Sequence, residues 1–126
     1  MKKKKILIID DEPGFTRMVK LNLEETGHYV VRQENDSRQA LASALEFTPD
    51  LVFLDVVMPN MDGGDVAAVL RNHPRLAKTP IVFLTAIASH QESHGEPFRS
   101  GDEMFLAKPV TVASLEGAIT AAQSYA

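Results

Sequence analysis

An α/β fold built on a parallel sheet is predicted by three observations. Five short aliphatic runs, at 6–9, 29–31, 51–54, 81–84 and 104–107, alternate with longer segments of helical period. The runs at 6–9, 51–54 and 81–84 are unbroken Ile, Leu, Val and Phe, as suits parallel strands covered on both faces. The links between runs and helical segments are short, so the units close as right-handed crossovers.

The elements follow in order. Lys2 to Lys5 reads as a solvated strand entry, and Ile6 to Ile9 as the first strand. Phe15, Met18, Val19 and Leu23 keep i, i+3, i+4, i+8 spacing, and Gly27 stands where a helix C-terminus favours glycine. Tyr29 to Val31 is a second strand that supplies no chemical group at its end, which suggests a sheet edge. Ala40, Leu41, Ala44 and Leu45 mark a second helix with Asp36 or Ser37 as cap. After the third strand, Leu51 to Leu54, Met58 and Met61 beside Pro59 read as loop packing. Gly63 and Gly64 allow the turn into a third helix carrying Val66, Val69 and Leu70, with Asp62 as cap. Ile81 to Leu84 is the fourth strand. The interval Ala88 to Pro97, ASHQESHGEP, has no large apolar residue and contains a glycine and a proline, so its helix is expected to be short, frayed or absent. Met104 to Ala107 is the fifth strand, and Val112, Leu115, Ile119 and Ala122 form a last helix after Thr111.

At 126 residues the chain suits one domain, taken as 1–126, with 44% hydrophobic and 24% charged residues as in globular proteins. A net charge of -4 gives no basic face for direct nucleic-acid binding. The absence of cysteine excludes disulfides and thiolate metal sites. No apolar run approaches the roughly 20 residues that span a bilayer. Asp10 and Asp11 also cut the first apolar run too short for a signal peptide, so the expected location is cytoplasmic, without membrane association.

In open α/β sheets ligands bind beyond the carboxyl ends of the strands, where strand order reverses. The residues following the runs are Asp10 and Asp11, Asp55, Thr85 and Lys108. Singly, each is an ordinary surface residue, and Asp10 or Asp11 could simply cap the next helix. Together they bring three carboxylates, a hydroxyl and an ammonium to one sheet edge. Carboxylates that close repel one another, and a hard divalent cation relieves the repulsion. Mg²⁺ (or Mn²⁺) takes oxygen ligands, commonly one or two carboxylates plus a phosphate, whereas zinc or copper would call for histidine or cysteine at these positions. Such a site can neutralise a phosphoryl group in flight, with Asp55 as the nucleophile that forms an acyl phosphate.

The sequence resembles, over essentially its whole length, a response-regulator receiver domain of bacterial two-component signalling, of the single-receiver, chemotaxis-regulator-like kind. The resemblance is carried by Asp10-Asp11, Asp55 in LVFLDVVMPNMDGG, Thr85-Ala86 closing PIVFLTA, and Lys108-Pro109 after EMFLA. It implies a flavodoxin-like, doubly wound five-stranded parallel sheet of order 2-1-3-4-5, here with a weak or irregular fourth helix. It also implies that Asp11 and Asp55 bind Mg²⁺ by side chains, Asp10 through water and Val57 by its backbone carbonyl. Thr85 and Lys108 would hold the phosphoryl oxygens, and the Lys108-Pro109 peptide would be cis. On phosphorylation of Asp55 by a sensor histidine kinase or phosphotransfer protein, Thr85 would move toward the phosphoryl group and Phe105 would turn inward. That movement would remodel a face for a downstream protein target. The resemblance thus implies a signalling module that catalyses its own modification, monomeric or dimerising on phosphorylation. Because the sequence closes on its last helix, a stand-alone receiver is expected.

Two further expectations concern variable positions. Val57 and Ile87, two residues beyond Asp55 and Thr85, are apolar and offer attacking water no hydrogen bond, which predicts slow self-dephosphorylation. His90 and His94 stand four apart, a spacing that could hold a metal on a helix, but a solvated loop is the reading taken. The rival reading, a haloacid-dehalogenase-type phosphatase, wants a second aspartate where Val57 stands. A third, an unphosphorylated pseudo-receiver, is opposed by the intact polar set.

Overall fold

The computed structural model describes residues 2–86 and 96–124. The strands are β1 (Lys4–Ile9), β2 (Tyr29–Glu34), β3 (Leu51–Asp55), β4 (Ile81–Thr85), β5 (Phe98–Ser100) and β6 (Glu103–Ala107). The helices are α1 (Pro13–Glu25), α2 (Ala40–Phe47), α3 (Gly63–Arg71) and α4 (Val112–Ser124). All six strands form one sheet of order β2-β1-β3-β4-β6-β5, in which β5 alone runs antiparallel. The five runs read from sequence are therefore the five parallel strands, in the expected order with β2 at an edge.

Period-2 alternation divides the sheet into two cores, as the nearly unbroken aliphatic strands require. Ile6, Ile8, Phe53, Val82, Leu84 and Leu106 pack against α1 and α4, which contribute Val19, Leu23, Leu115 and Ile119. Leu7, Ile9, Val52, Leu54 and Phe83 face the other way, onto Ala40 and Ala44 of α2 and Val66 and Leu70 of α3. Met58 and Met61 pack on this second core, as the loop reading anticipates.

The local signals hold, with one adjustment at Asp36. Gly27 follows α1 at φ +84°, and its N–H donates to Glu24 O at 3.0 Å, the left-handed closure that glycine adopts at least cost. Asp36 accepts from Arg38 N at 3.0 Å, but it caps a short 3₁₀ turn, Ser37–Gln39, that leads into α2. Asp62 accepts from Asp65 N at the start of α3. Before α4, Thr111 Oγ1 accepts from Ser114 N while Ser114 Oγ accepts from Thr111 N.

The edge beyond β6 adds a sixth, antiparallel strand to the five parallel strands expected. Phe98, Arg99 and Ser100 pair antiparallel with Phe105, Met104 and Glu103. Gly101 and Asp102 join the two strands, with Gly101 at φ +62°, a conformation that tight hairpins demand and glycine supplies. Ser100, Gly101 and Asp102 carry the turn chemistry of this hairpin in the sequence, but the three residues of β5 are too few to show a strand period. Residues 87–95, including Ile87, His90, His94 and most of the interval expected to form a weak fourth helix, lie outside the described residues. Glu96 and Pro97 are irregular and run directly into β5. Among the described residues no helix is long and apolar enough to cross a membrane.

Candidate functional site

Strand order reverses at β1: the chain passes from β1 through α1 to β2 on one side, then from β2 through α2 to β3 on the other. A crevice therefore opens beyond the carboxyl ends of β1 and β3. Asp10 and Asp11 follow β1, Asp55 is the last residue of β3, Thr85 the last of β4, and Lys108 follows β6. The structure brings all five to one edge. A cavity of about 260 Å³ there is lined by Asp11, Glu12, Asp55, Val57, Thr85 and Lys108, among others.

The two adjacent aspartates differ. Asp10 is fully buried, whereas Asp11 is exposed. The Asp10 N–H donates to Glu34 O at 3.1 Å, extending the β1–β2 ladder by one residue. Its Oδ1 then accepts from Glu12 N at 3.0 Å and bends the chain outward. Neither aspartate caps α1: the cap position is Glu12, which makes no side-chain cap bond, and Pro13 opens the helix with its fixed φ.

Lys108 crosses the crevice to reach these acids. Its Nζ donates to Asp10 Oδ2 at 2.8 Å and lies 3.5 Å from Glu12 Oε1 and 3.8 Å from Asp55 Oδ1. The Lys108-Pro109 peptide is cis, as expected, and Lys108 N donates to Thr85 O at 2.9 Å, tying the ends of β6 and β4 together. The Thr85 side chain is buried at the cavity wall.

Electrostatics reflect this crowding. Burial pushes the Asp55 carboxyl up to about 6, and the charges of Asp10 and Asp11 act the same way, against the pull of Lys108 and of the Val57 N–H. Burial likewise holds Asp10 above the ordinary carboxylate range, although its bond from Lys108 opposes it. Burial disfavours the Lys108 ammonium, but the hydrogen bond to Asp10 and the surrounding negative charge outweigh it and raise the amine above its usual value. Asp10, Asp11 and Asp55 each offer an oxygen within 4.8 Å of the others. An all-oxygen set with Asp55 reluctant to ionise unaided fits a hard divalent cation.

Three neighbours escaped the sequence reading. Asn35, just past β2, donates its side-chain amide to Asp10 O at 2.8 Å and to Thr16 Oγ1 at 2.9 Å. Gln33 also donates to Thr16 Oγ1, at 2.8 Å, so a polar network braces the acidic turn from behind. Period 2 from Tyr29 and Val31 places Gln33 and Asn35 on the α1 face, a signal that could have identified them. Phe15 belongs by its spacing to the α1 apolar stripe, yet its ring centroid is 4.4 Å from Lys108 Nζ. Phe105 lies farther back on β6, half-buried, its ring stacked between Phe83 at 5.4 Å and Phe98 at 5.6 Å.

Fold and site together define a doubly wound α/β domain with an acidic crevice at its switch point. Comparison with known proteins then gives the family. A model of the response regulator receiver domain matches residues 6–120, and this chain belongs to that family. It is similar to the DNA-binding dual master transcriptional regulator RpaA of Synechocystis sp., with 40% identity over 108 residues, 86% of this chain and 44% of that protein. It is also similar to the transcriptional regulatory protein SrrA of Staphylococcus aureus, with 35% identity over 104 residues, 82% of this chain and 41% of that one. The chain thus spans less than half the length of these relatives. Among solved structures, the chemotaxis protein CheY4 of Vibrio cholerae matches at TM-score 0.81 and 30% identity, covering 96% of this chain and 99% of that one. A receiver domain of two-component signalling is a signalling module, and this finding sets aside the dehalogenase-type phosphatase reading.

Proposed function

We propose that this chain is a phosphoacceptor switch that takes a phosphoryl group on Asp55 from the phosphohistidine of a sensor kinase or phosphotransfer protein. The observation that carries this reading is the placement of Lys108, 2.8 Å from Asp10 and 3.8 Å from Asp55, in one cavity with Thr85. An Asp55 carboxylate oxygen attacks phosphorus, the P–N bond of the donor breaks, and its electron pair leaves with the imidazole. The product is a mixed carboxylic–phosphoric anhydride. Lys108 and Thr85 are placed to receive phosphoryl oxygens. Asp11, Asp55 and the Val57 carbonyl are the proposed protein ligands of Mg²⁺, with Asp10 acting through water. When bound, the ion neutralises carboxylate and phosphoryl charge. The chain thereby catalyses its own modification, using the domain at 1–126.

Output follows from Thr85 and Phe105. Withdrawal of Thr85 toward the phosphoryl group opens space for Phe105 to turn inward. That turn breaks its stack on Phe98, so β5 belongs to the surface that changes for a downstream protein partner. A kinase-coupled role of this kind places the domain in the cytoplasm.

The test is intact-mass measurement after incubation with acetyl phosphate and Mg²⁺. One added phosphoryl group is expected, lost in Asp55→Asn and on chelation of the metal, and labile to hydroxylamine. No adduct, with Mg²⁺ binding confirmed by titration, would leave the pseudo-receiver reading in its place. The lifetime of the adduct is a separate prediction. Val57 is 68% exposed at the cavity rim and offers water no hydrogen bond. The phosphorylated chain should persist for minutes or longer, and decay within seconds would contradict this account of Val57.

A further inference from the structure

We propose that Phe15 is a positioning residue for Lys108, holding the ammonium beside Asp55 by a cation–π contact. The kinetic consequence rests on the phosphoacceptor reading above, whereas the contact itself rests on geometry alone.

Phe15 is the third residue of α1, at the end of the stripe that continues through Val19 and Leu23. Those two side chains are fully buried, but Phe15 is half-buried, where the stripe runs out into the crevice. Its ring packs partly on the core and presents its face to Lys108 Nζ at 4.4 Å. Lys108 arrives from the opposite side, after β6, so the ring and Asp10 Oδ2 contact the ammonium together. A cation within about 6 Å of a ring centroid is attracted by the ring quadrupole, more strongly where water is excluded. The Lys108 side chain is only 18% exposed, which favours the stronger end of that range.

The ring and the carboxylate do different work. Asp10 accepts one of the three ammonium N–H groups and leaves the others for phosphoryl oxygens. The aromatic face attracts the positive charge as a whole and holds the head over the crevice without fixing any one N–H. A long four-carbon stem without this support samples more rotamers, each of which must be given up at the transition state. Packing alone does not account for an aromatic at this place, since leucine would complete the α1 stripe equally well.

Fluorination of Phe15 separates the two roles, because it drains the face of negative potential while nearly keeping ring shape. In chains carrying mono-, di- and trifluorinated phenylalanine at position 15, the rate of phosphorylation by acetyl phosphate should fall in steps. The trifluorinated chain should be about fivefold slower, with the thermal midpoint lowered by only a few degrees. A flat series overturns the proposal. A second readout needs no phosphorylation: the Lys108 ε-methylene protons of the native chain should be shifted upfield by the ring, and the shift should vanish in Phe15→Leu. Absence of that shift in the native chain also overturns the proposal. If the native chain accepts no phosphoryl group at all, the phosphoacceptor reading has failed, and the ring-current shift alone decides the contact.

Discussion

Asp55→Asn is expected to stabilise the metal-free protein by about 2 kcal/mol near neutral pH and to leave it unchanged near pH 4, while abolishing phosphoryl acceptance. The sign follows from the raised carboxyl. In the unfolded chain Asp55 titrates near its ordinary value of 3.8, and in the folded chain at about 6. Between those values the folded state binds more protons than the unfolded state, so stability falls as pH rises through the window. Below it both states are protonated, and the carboxyl is a near-isostere of the amide. Above it the folded chain carries a buried charge beside Asp10, a cost that asparagine removes. The full separation corresponds to roughly 3 kcal/mol with the pull of Lys108 already included, and solvent screening in the open crevice reduces it to about 2 kcal/mol. Urea midpoints of the two proteins across pH 4–7 in chelator should coincide at the acid end and diverge upward. Saturating Mg²⁺ should narrow the gap, since it stabilises the folded wild type by mass action. A wild type as stable as Asp55→Asn at neutral pH would show that the carboxylates are not in conflict.

Gly63→Ala is expected to cost about 3 kcal/mol and to weaken metal binding, although it adds one methyl group at the start of a helix. A Cβ on Gly63 would lie 2.4 Å from Asp55 O and 2.9 Å from Val56 Cα, both backbone atoms that cannot rotate away. The close approach is fixed by the Gly63 N–H donating to Val56 O at 2.8 Å, which ties α3 to the end of β3. Relief requires α3 or the Asp55–Val57 backbone to shift, and that backbone supplies the Val57 N–H to the Asp55 carboxylate. Gly64→Ala is the matched control. Its Cβ would meet nothing nearer than Asp62 Oδ1 at 3.4 Å, so its effect should stay within about 1 kcal/mol, in the stabilising direction expected for alanine in a helix. Denaturant midpoints and Mg²⁺ titrations on the pair test the account. Equal effects of the two substitutions would contradict it.

The β2 end shows where one-dimensional reading stops. Gln33 and Asn35 carry no motif, and their role depends on Thr16, which is distant in sequence and reaches them only because α1 packs across β2. Phe15 is similar: helical period identifies it as apolar and inward, but only the approach of Lys108 from β6 makes its face a cation site. β5 escaped for another reason. A three-residue strand lacks a periodic signal of its own and exists because β6 offers it an open edge and Gly101 allows the turn.

The sequence by itself determined the alternation of strands and helices, the parallel direction of the sheet, and the five polar residues that end its strands. Each of these is a local signal: a buried strand must be continuously apolar, a helix must keep its stripe and caps, and a group placed directly after a strand must emerge at the sheet's carboxyl edge. Only the tertiary structure decided which aspartate is buried and paired, which side chains brace the acidic turn, and what lies over Lys108. Those outcomes depend on distances between groups far apart in the chain, set by how the two helical layers close on the sheet, and pattern along the chain carries no such distances.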